Sequence, residues 1–386
     1  MVYLDNHSTT PVDPRVLDAM LPYFGPRFGN AASRGHRFGW EAEKAVELAR
    51  RRISELAGAT PREIIFTSGA TESDNLAIKG AMEGGRRKGN HLVTMATEHK
   101  AVLDSVRHLE RQGCQVTILP PMPDGLLDLQ ALRVAVRPET VLVSVMYANN
   151  EIGTVQPVAQ IGALCRERGV LFHCDAVQAF GKIPLNVDRD QIDLMSLSAH
   201  KMYGPKGVGA LYVRRRNPRA LLVAQIDGGG HEAGMRSGTL NVPAIVGFGE
   251  ACRLCAGEMD ADASHLAALR DRLRALLEAA VDGVTVNGTM RHRLPGNLNV
   301  TFDGVDAESL LIALPDVALS TGAACTSATV EPSHVLLALG MDRRQAQSSV
   351  RFGLGRFNTA EEVEQAAAQV IEAVHKIRKL SLTGWA

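Results

Sequence analysis

No run of eighteen apolar residues occurs anywhere in the 386-residue sequence, so no transmembrane helix is expected. Net charge is also missing: 42 Lys and Arg are matched by 42 Asp and Glu. No long-range basic field marks a nucleic-acid binder and no acidic tail marks a basic partner, so direct nucleic-acid contact is not expected. A local patch can survive a neutral total. Cysteine is sparse, with six residues at 114, 165, 174, 252, 255 and 325, too few for a disulfide scaffold. The opening Met1-Val2-Tyr3-Leu4-Asp5 lacks the basic segment and apolar stretch of a secretory signal. A reducing cytoplasm is the expected home. Internal repeats, low-complexity tracts and Pro-rich linkers are absent too.

What is present is an ordinary globular composition, 45% hydrophobic and 22% charged, with enough length for two domains or for one large domain carrying a smaller one. From about residue 13 to 250, short β-branched runs alternate with helical stretches. Ile64 to Thr67, His91 to Thr94, Gln115 to Leu119, Val141 to Val145, Val170 to His173 and Gly209 to Val213 read as strands. Arg37 to Leu56 and Val158 to Arg168 read as helices. This alternation predicts an α/β layer around a mostly parallel, buried sheet. The character changes near residue 255. An Ala/Leu/Arg-rich stretch from Glu258 to Ala280 puts Leu266, Leu269, Leu273, Leu276 and Leu277 on one helical face. Gly296 to Phe302 then reads as a strand. A final helix opens on the capping-box pattern Thr359-Ala360-Glu361-Glu362, with Val363, Ala367, Val370, Ile371 and Val374 as its buried stripe.

Three segments carry candidate chemistry. In Ser198-Ala199-His200-Lys201, a lysine follows a strand-like segment and precedes a Gly/Pro-rich turn. A lysine closing a strand of an open α/β sheet lies at the carboxyl edge, where such sheets bind ligands, and its amine can form a Schiff base with an aldehyde cofactor. Exposure at the surface is the commoner fate of a lysine. Asp175 follows the apolar run from Val170, and a carboxylate there can keep a pyridine nitrogen protonated. It can equally cap a following helix. Gln178, three residues on, can donate to a phenolic oxygen. Thr67-Ser68-Gly69-Ala70-Thr71 lies between a strand and a helix start, where small residues let backbone N–H groups converge on a phosphate. A plain helix cap has the same appearance.

Phosphate turn, aspartate after a strand, lysine after the next strand: that order is found in fold-type I enzymes of pyridoxal 5'-phosphate. The motifs Tyr3-Leu4-Asp5-Asn6, Thr9-Thr10-Pro11, Phe66-Thr67-Ser68-Gly69-Ala70-Thr71-Glu72, Thr97-Glu98-His99, Asn149-Asn150-Glu151-Ile152-Gly153, Asp175-Ala176-Val177-Gln178 and Ser198-Ala199-His200-Lys201 resemble the NifS/IscS-type cysteine desulfurases, of the class V aminotransferase group. The resemblance continues through Met235 to Thr239 and Ser349 to Phe352. It implies a large domain (13–255) with a mainly parallel seven-stranded sheet between helices. A smaller α+β domain (1–12 and 256–386) would carry a cysteine loop at about 320–332.

The resemblance also implies roles. Lys201 would hold pyridoxal 5'-phosphate covalently and move protons. Asp175 would face the ring nitrogen, Gln178 the ring oxygen, and His99 would stack on the ring. Ala70, Thr71, Ser198 and His200 would hold the phosphate, joined by Thr239 from the second subunit of a homodimer. Asn150 and Arg351 would bind the carboxylate of L-cysteine, Arg through its two-pronged geometry. Outside this context His99 and His200 read as ordinary polar groups.

Cys325 decides the activity. Its setting, Ser320-Thr321-Gly322-Ala323-Ala324-Cys325-Thr326-Ser327-Ala328, has almost nothing to pack, unlike a structural cysteine. An exposed loop of this kind suits a thiol that meets buried substrate and then an outside acceptor. The expected product is a persulfide on Cys325 beside alanine, passed to an acceptor such as an iron–sulfur scaffold or a protein of thio-modification. A selenocysteine lyase or another class V aminotransferase needs no Cys325, and a sulfur carrier without catalysis needs no Lys201. Cys252 and Cys255 read as one helical face rather than metal ligands, and no metal is expected. Cys114, Cys165 and Cys174 read as small buried hydrophobes, and Arg214-Arg215-Arg216 as a solvated turn.

Overall fold

The computed structural model describes residues 1–216, 219–321 and 331–383. Seven strands make the main sheet: β1 (Ile64–Thr67), β2 (His91–Met95), β3 (Gln115–Leu119), β4 (Thr140–Ser144), β5 (Leu171–Asp175), β6 (Leu194–Ser198) and β7 (Gly209–Val213). Their order is β1-β7-β6-β5-β4-β2-β3, parallel throughout except for β7, which runs antiparallel to both neighbours. β2, β4, β6 and β7 are buried at every position. That explains their near-continuous apolar runs, since helices cover both faces of a parallel sheet. Two expected strands are displaced. Val141 to Val145 begins one residue earlier, at Thr140, and Val170 to His173 runs from Leu171 to Asp175, because β5 pairs with β6 as far as the Asp175–Ser196 register.

Four helices frame the sheet edge and the two cores: α1 (Arg37–Ala57), α2 (Ala70–Gly84), α3 (Lys100–Arg111) and α4 (Val242–Ala280). The last is 39 residues long and begins sixteen residues before the expected Glu258. Gly247 and Gly249 disguise its first turns, glycine being a poor helix former. Their reason is tertiary: a Cβ on Gly247 would lie 2.5 Å from Met20 Sδ, and one on Gly249 2.5 Å from the Ala49 Cα of α1. Val242 to Cys255 of α4 belong to a core that also takes residues from Val16 onward, whereas Leu266, Leu269, Leu273 and Leu277 belong to a second core.

That second core is built on an antiparallel sheet of β8 (Val284–Val286), β9 (Asn297–Phe302) and β10 (Ser349–Gly353), in the order β10-β9-β8. Val2 and Leu4 join it, and Val2–Tyr3 pairs in parallel with Val317–Ala318. α5 (Ala360–Thr383) closes it, with Val363, Ala367, Val370 and Val374 buried and Ile371 packed at the margin. The expected capping box forms, since Glu362 N donates to Thr359 Oγ1 at 3.3 Å and Thr359 N to Glu362 Oε2 at 3.2 Å. Leu273 is fully buried here, so Leu273→Ala should cost about 2–5 kcal/mol through the cavity it leaves. A fall in the urea midpoint at unchanged slope would register that loss.

The Arg214-Arg215-Arg216 turn differs from expectation. Arg214 pairs with Asp188 at 3.0 Å, and Arg216 with Asp188 at 2.7 Å and Glu63 at 3.3 Å. Acidic residues distant in the chain neutralise it, which local sequence does not announce. No helix among the described residues is long and apolar enough to cross a membrane.

Candidate active site

The turns after β1, β2, β4, β5 and β6 all emerge at one edge of the sheet, the carboxyl edge where open α/β sheets take ligands. Residues 5–10 run along this edge, tied to β10 by Asn6 N to Gly353 O (2.9 Å) and to the β6 turn by Thr10 N to His200 O (3.0 Å). Both cores therefore border one site.

Lys201 ends a single turn of tight helix after β6, and its Nζ donates to the carbonyls of His7 (2.8 Å) and Ser8 (2.5 Å). Burial, and then the Arg351 guanidinium, push its amine down to about 8, against Asp5 and Asp175, which pull it up. Asp175 is the last residue of β5. Its Oδ1 accepts from Val177 N at 3.0 Å within a turn, so it caps no helix. Burial pushes its carboxyl up while His99 and Lys201 hold it back. Behind it lie Asp74 and Glu98, both fully enclosed and pushed well above the carboxylate range by burial and by Asp175. Both Asp74 oxygens and Glu98 Oε2 have no hydrogen-bond partner among the described residues, with Asp74 Oδ1 standing 3.6 Å from His173 Nε2. Two buried acids with raised carboxyls thus back Asp175, the one carboxyl of the three that faces cations.

His99 caps α3, its Nδ1 accepting from Ala101 N at 3.1 Å, which places the ring proton on Nε2. Burial lowers its basicity against the pull of Asp175. His200 Nδ1 lies 3.2 Å from Thr9 Oγ1, and burial with the Lys201 charge pushes it down to about 4. Gln178 donates from Nε2 to His7 O at 2.9 Å. Ser198 closes β6 and is buried. Arg351, on β10 and 2% exposed, donates from Nη1 to Asn150 O (2.9 Å) and from Nη2 to Asp5 Oδ1 (2.7 Å), leaving Nε without a partner among the described residues.

The donor set matches a phosphorylated pyridine aldehyde. Gly69, at φ +153°, caps α2, so the first N–H groups of a 15-residue helix, at Ala70 and Thr71, point out of the turn. Gly209 permits the fit, since a Cβ there would lie 2.7 Å from Gly69 Cα. An anion cradle, a carboxylate for a ring nitrogen, an amide donor, a depressed lysine amine and a spare arginine N–H all fit the group.

Of the expected site residues, Ala70, Thr71, His99, Asn150, Asp175, Gln178, Ser198, His200, Lys201 and Arg351 stand on this edge or on β10 beside it. Thr239 is exposed, three residues beyond Arg236, which pairs with Glu72 of α2 at 2.7 Å. Cys325 lies outside the described residues. Its flanks reach the site: Ser320 N and O bond the backbone of Arg351, and Ser333 Oγ donates to the buried Glu151 carboxyl, which is raised to about 7 chiefly by burial.

Sequence reasoning missed Asp5, His7, Glu151 and Lys182. Asp5 and Glu151 sit inside motifs already singled out. His7 has no local signal at all, and Lys182 had only its spacing of four from Gln178.

Comparison with known proteins agrees with this geometry. The Aminotransferase class-V family matches residues 2–366. Cysteine desulfurase IscS of Anaeromyxobacter dehalogenans (strain 2CP-C) is 60% identical over 380 residues, 98% of this chain and 94% of that one. Among solved structures, a NifS-like protein superposes with a TM-score of 0.91 at 37% identity, covering 97% of this chain and 99% of its own. SspA in complex with cysteine does so at 0.83 and 38%, covering 93% and 100%. With identity spread over nearly the whole length, the chain belongs to the class-V aminotransferase family and, within it, to the cysteine desulfurases of the NifS/IscS type.

Proposed function

We propose that this protein takes sulfur from L-cysteine, releasing L-alanine and leaving a persulfide on Cys325. The observation that carries the reading is the placement of Lys201, one turn past β6 with Nζ held by the His7 and Ser8 carbonyls, on the sheet edge where Asp175 ends β5. When bound, pyridoxal 5'-phosphate supplies an electron sink for an amino acid's Cα. The residues do the rest. Lys201 would hold the cofactor and then move the Cα proton. Asp175 would keep the pyridine nitrogen protonated, and Gln178 would donate to the ring oxygen. His99 would face the ring, with its Nε2 proton available for transfer. Ala70, Thr71, Ser198 and His200 hold the phosphate, with Thr239 of a second subunit. Asn150 and Arg351 would orient the substrate carboxylate, Arg351 through the Nε–H that has no partner among the described residues.

Cys325 then attacks the substrate sulfur as thiolate. An S–S bond forms as the Cβ–S bond breaks, the electron pair passes to carbon, and a proton completes alanine. The sulfur goes on to an acceptor protein such as an iron–sulfur scaffold, in the cytoplasm. A homodimer is supported by the exposed aromatic residues Phe24, Phe28, Phe38 and Trp40, at 50–67% exposure. The two cores support a large domain of 13–255 and a small one of 1–12 with 256–386, joined through α4.

The test is stoichiometry. One equivalent of L-cysteine without reductant should yield one alanine and one persulfide per chain; a product other than alanine would favour a lyase or aminotransferase. Arg351→Lys keeps the charge but loses the fork. It should raise KM for cysteine roughly tenfold, with cofactor binding intact, in a steady-state alanine assay.

A further inference from the structure

Gln178 has two amide orientations related by a flip, and only one presents an N–H to an acceptor beside Lys201. Two neighbours decide between them. Lys182 Nζ carries N–H donors whether charged or neutral, and the Gln178 atom 3.0 Å from it is Oε1. The His7 carbonyl only accepts, so the atom 2.9 Å from it is Nε2. His7 Nδ1 also lies 3.1 Å from Oε1. One hydrogen of Nε2 is thereby spent on His7 O, and the other has no acceptor among the described residues. The same His7 carbonyl receives Lys201 Nζ at 2.8 Å, which joins the two site residues through one backbone oxygen.

The chain builds this locally. After β5 the backbone turns tightly, with Phe180 N bonded to Ala176 O and Lys182 N to Ala179 O. Gly181 follows at φ +75°, where a Cβ would lie 2.7 Å from Met202 Cε and 3.1 Å from Cys255 Sγ. That turn brings the half-buried Lys182 back over Gln178. We infer that Lys182, with His7, is a positioning residue that fixes the Gln178 amide with its free N–H toward the cofactor. The inference rests on the function proposed above. Lys182 is held there at an electrostatic cost. Burial, then Lys201 and Arg351, push its amine down to about 7 against the pull of Cys255, and the His7 ring beside it is pushed well below the imidazole range. Asp262, on the same cavity wall, is engaged by Arg356.

The pH effect has a definite sign. A lysine at about 7 in the folded protein and 10.5 in its ordinary state binds fewer protons folded than unfolded across that window. Apoprotein stability should therefore climb as pH rises from about 7 to 10.5. Lys201, at about 8, adds its own share of the climb above pH 8.

Lys182→Met replaces the charge with an apolar chain of similar length, so folding should hold and the part of the climb that starts near pH 7 should vanish. Pyridoxal 5'-phosphate should dissociate about tenfold more readily from Lys182→Met than from the wild type. Gln178→Met should lose a similar factor, and the double variant should be no weaker than Gln178→Met alone. Unchanged affinity in Lys182→Met, or losses that multiply in the double variant, would overturn the positioning role. If Lys182→Met fails to fold, Lys182→Gln serves in the same cycle. A wild-type protein that binds no pyridoxal 5'-phosphate would instead overturn the function reading, and the inference with it.

Discussion

Lys201→Ala protein is expected to emerge colourless and to make alanine from cysteine at a rate lowered roughly 10³-fold or more, because it loses both the covalent attachment and the proton carrier. The alternative attachment point, Lys206, is exposed and stands past the turn, whereas Lys201 is half-buried with its Nζ held by the His7 and Ser8 carbonyls. Borohydride treatment of wild-type protein loaded with pyridoxal 5'-phosphate should therefore fix label to the Lys201 peptide alone. Label at Lys206 with Lys201 unmodified would sink the assignment. The fold should survive, since removing a partly charged amine from a buried position relieves desolvation.

Cys325→Ala should bind pyridoxal 5'-phosphate with wild-type affinity and still respond spectrally to cysteine. It should form alanine at a rate down by about 10²–10³-fold and carry no persulfide by mass. The other five cysteines offer no substitute. Cys165, Cys174, Cys252 and Cys255 are buried, and burial pushes each thiol up. Cys174 is adjacent to Asp175, but strand alternation turns it to the opposite face, and Asp175 and Glu98 raise it further. Cys114 is half-buried and also raised. Near-normal alanine from Cys325→Ala would mean that cleavage needs no protein thiol, and the lyase reading would replace the desulfurase one.

The strands were legible where turn chemistry and burial agree. Ile64–Thr67, Gln115–Leu119 and Gly209–Val213 are bounded as local pattern predicts, each being a short apolar or β-branched run between polar or glycine-containing turns. The placement of Asp175 and Lys201 at strand ends was legible for the same local reason. The start of α4 was not. Two glycines that weaken a helix locally are there because α1 and Met20 come close, a contact between segments far apart in the chain. The Arg214–Arg216 turn misled in the same way, its carboxylates lying outside any local window.

Local order along the chain was enough to determine the α/β class and the succession of phosphate turn, aspartate and lysine, because each depends on a few neighbours and on strand direction. The capping box of α5 is of the same kind. Which groups meet was decided only by tertiary structure. Asp5 reaches Arg351 across 346 positions, and the His7 carbonyl reaches Lys201 across 194. Lys182 turns inward because Gly181 packs against Met202 and Cys255. Desolvation and the fields of distant charges set the Lys201 amine near 8 and push the Asp74 and Glu98 carboxyls well up, while His99 and Lys201 hold Asp175 back. Those energies depend on enclosure and on distance through space, and neither quantity is written in the order of residues along a chain.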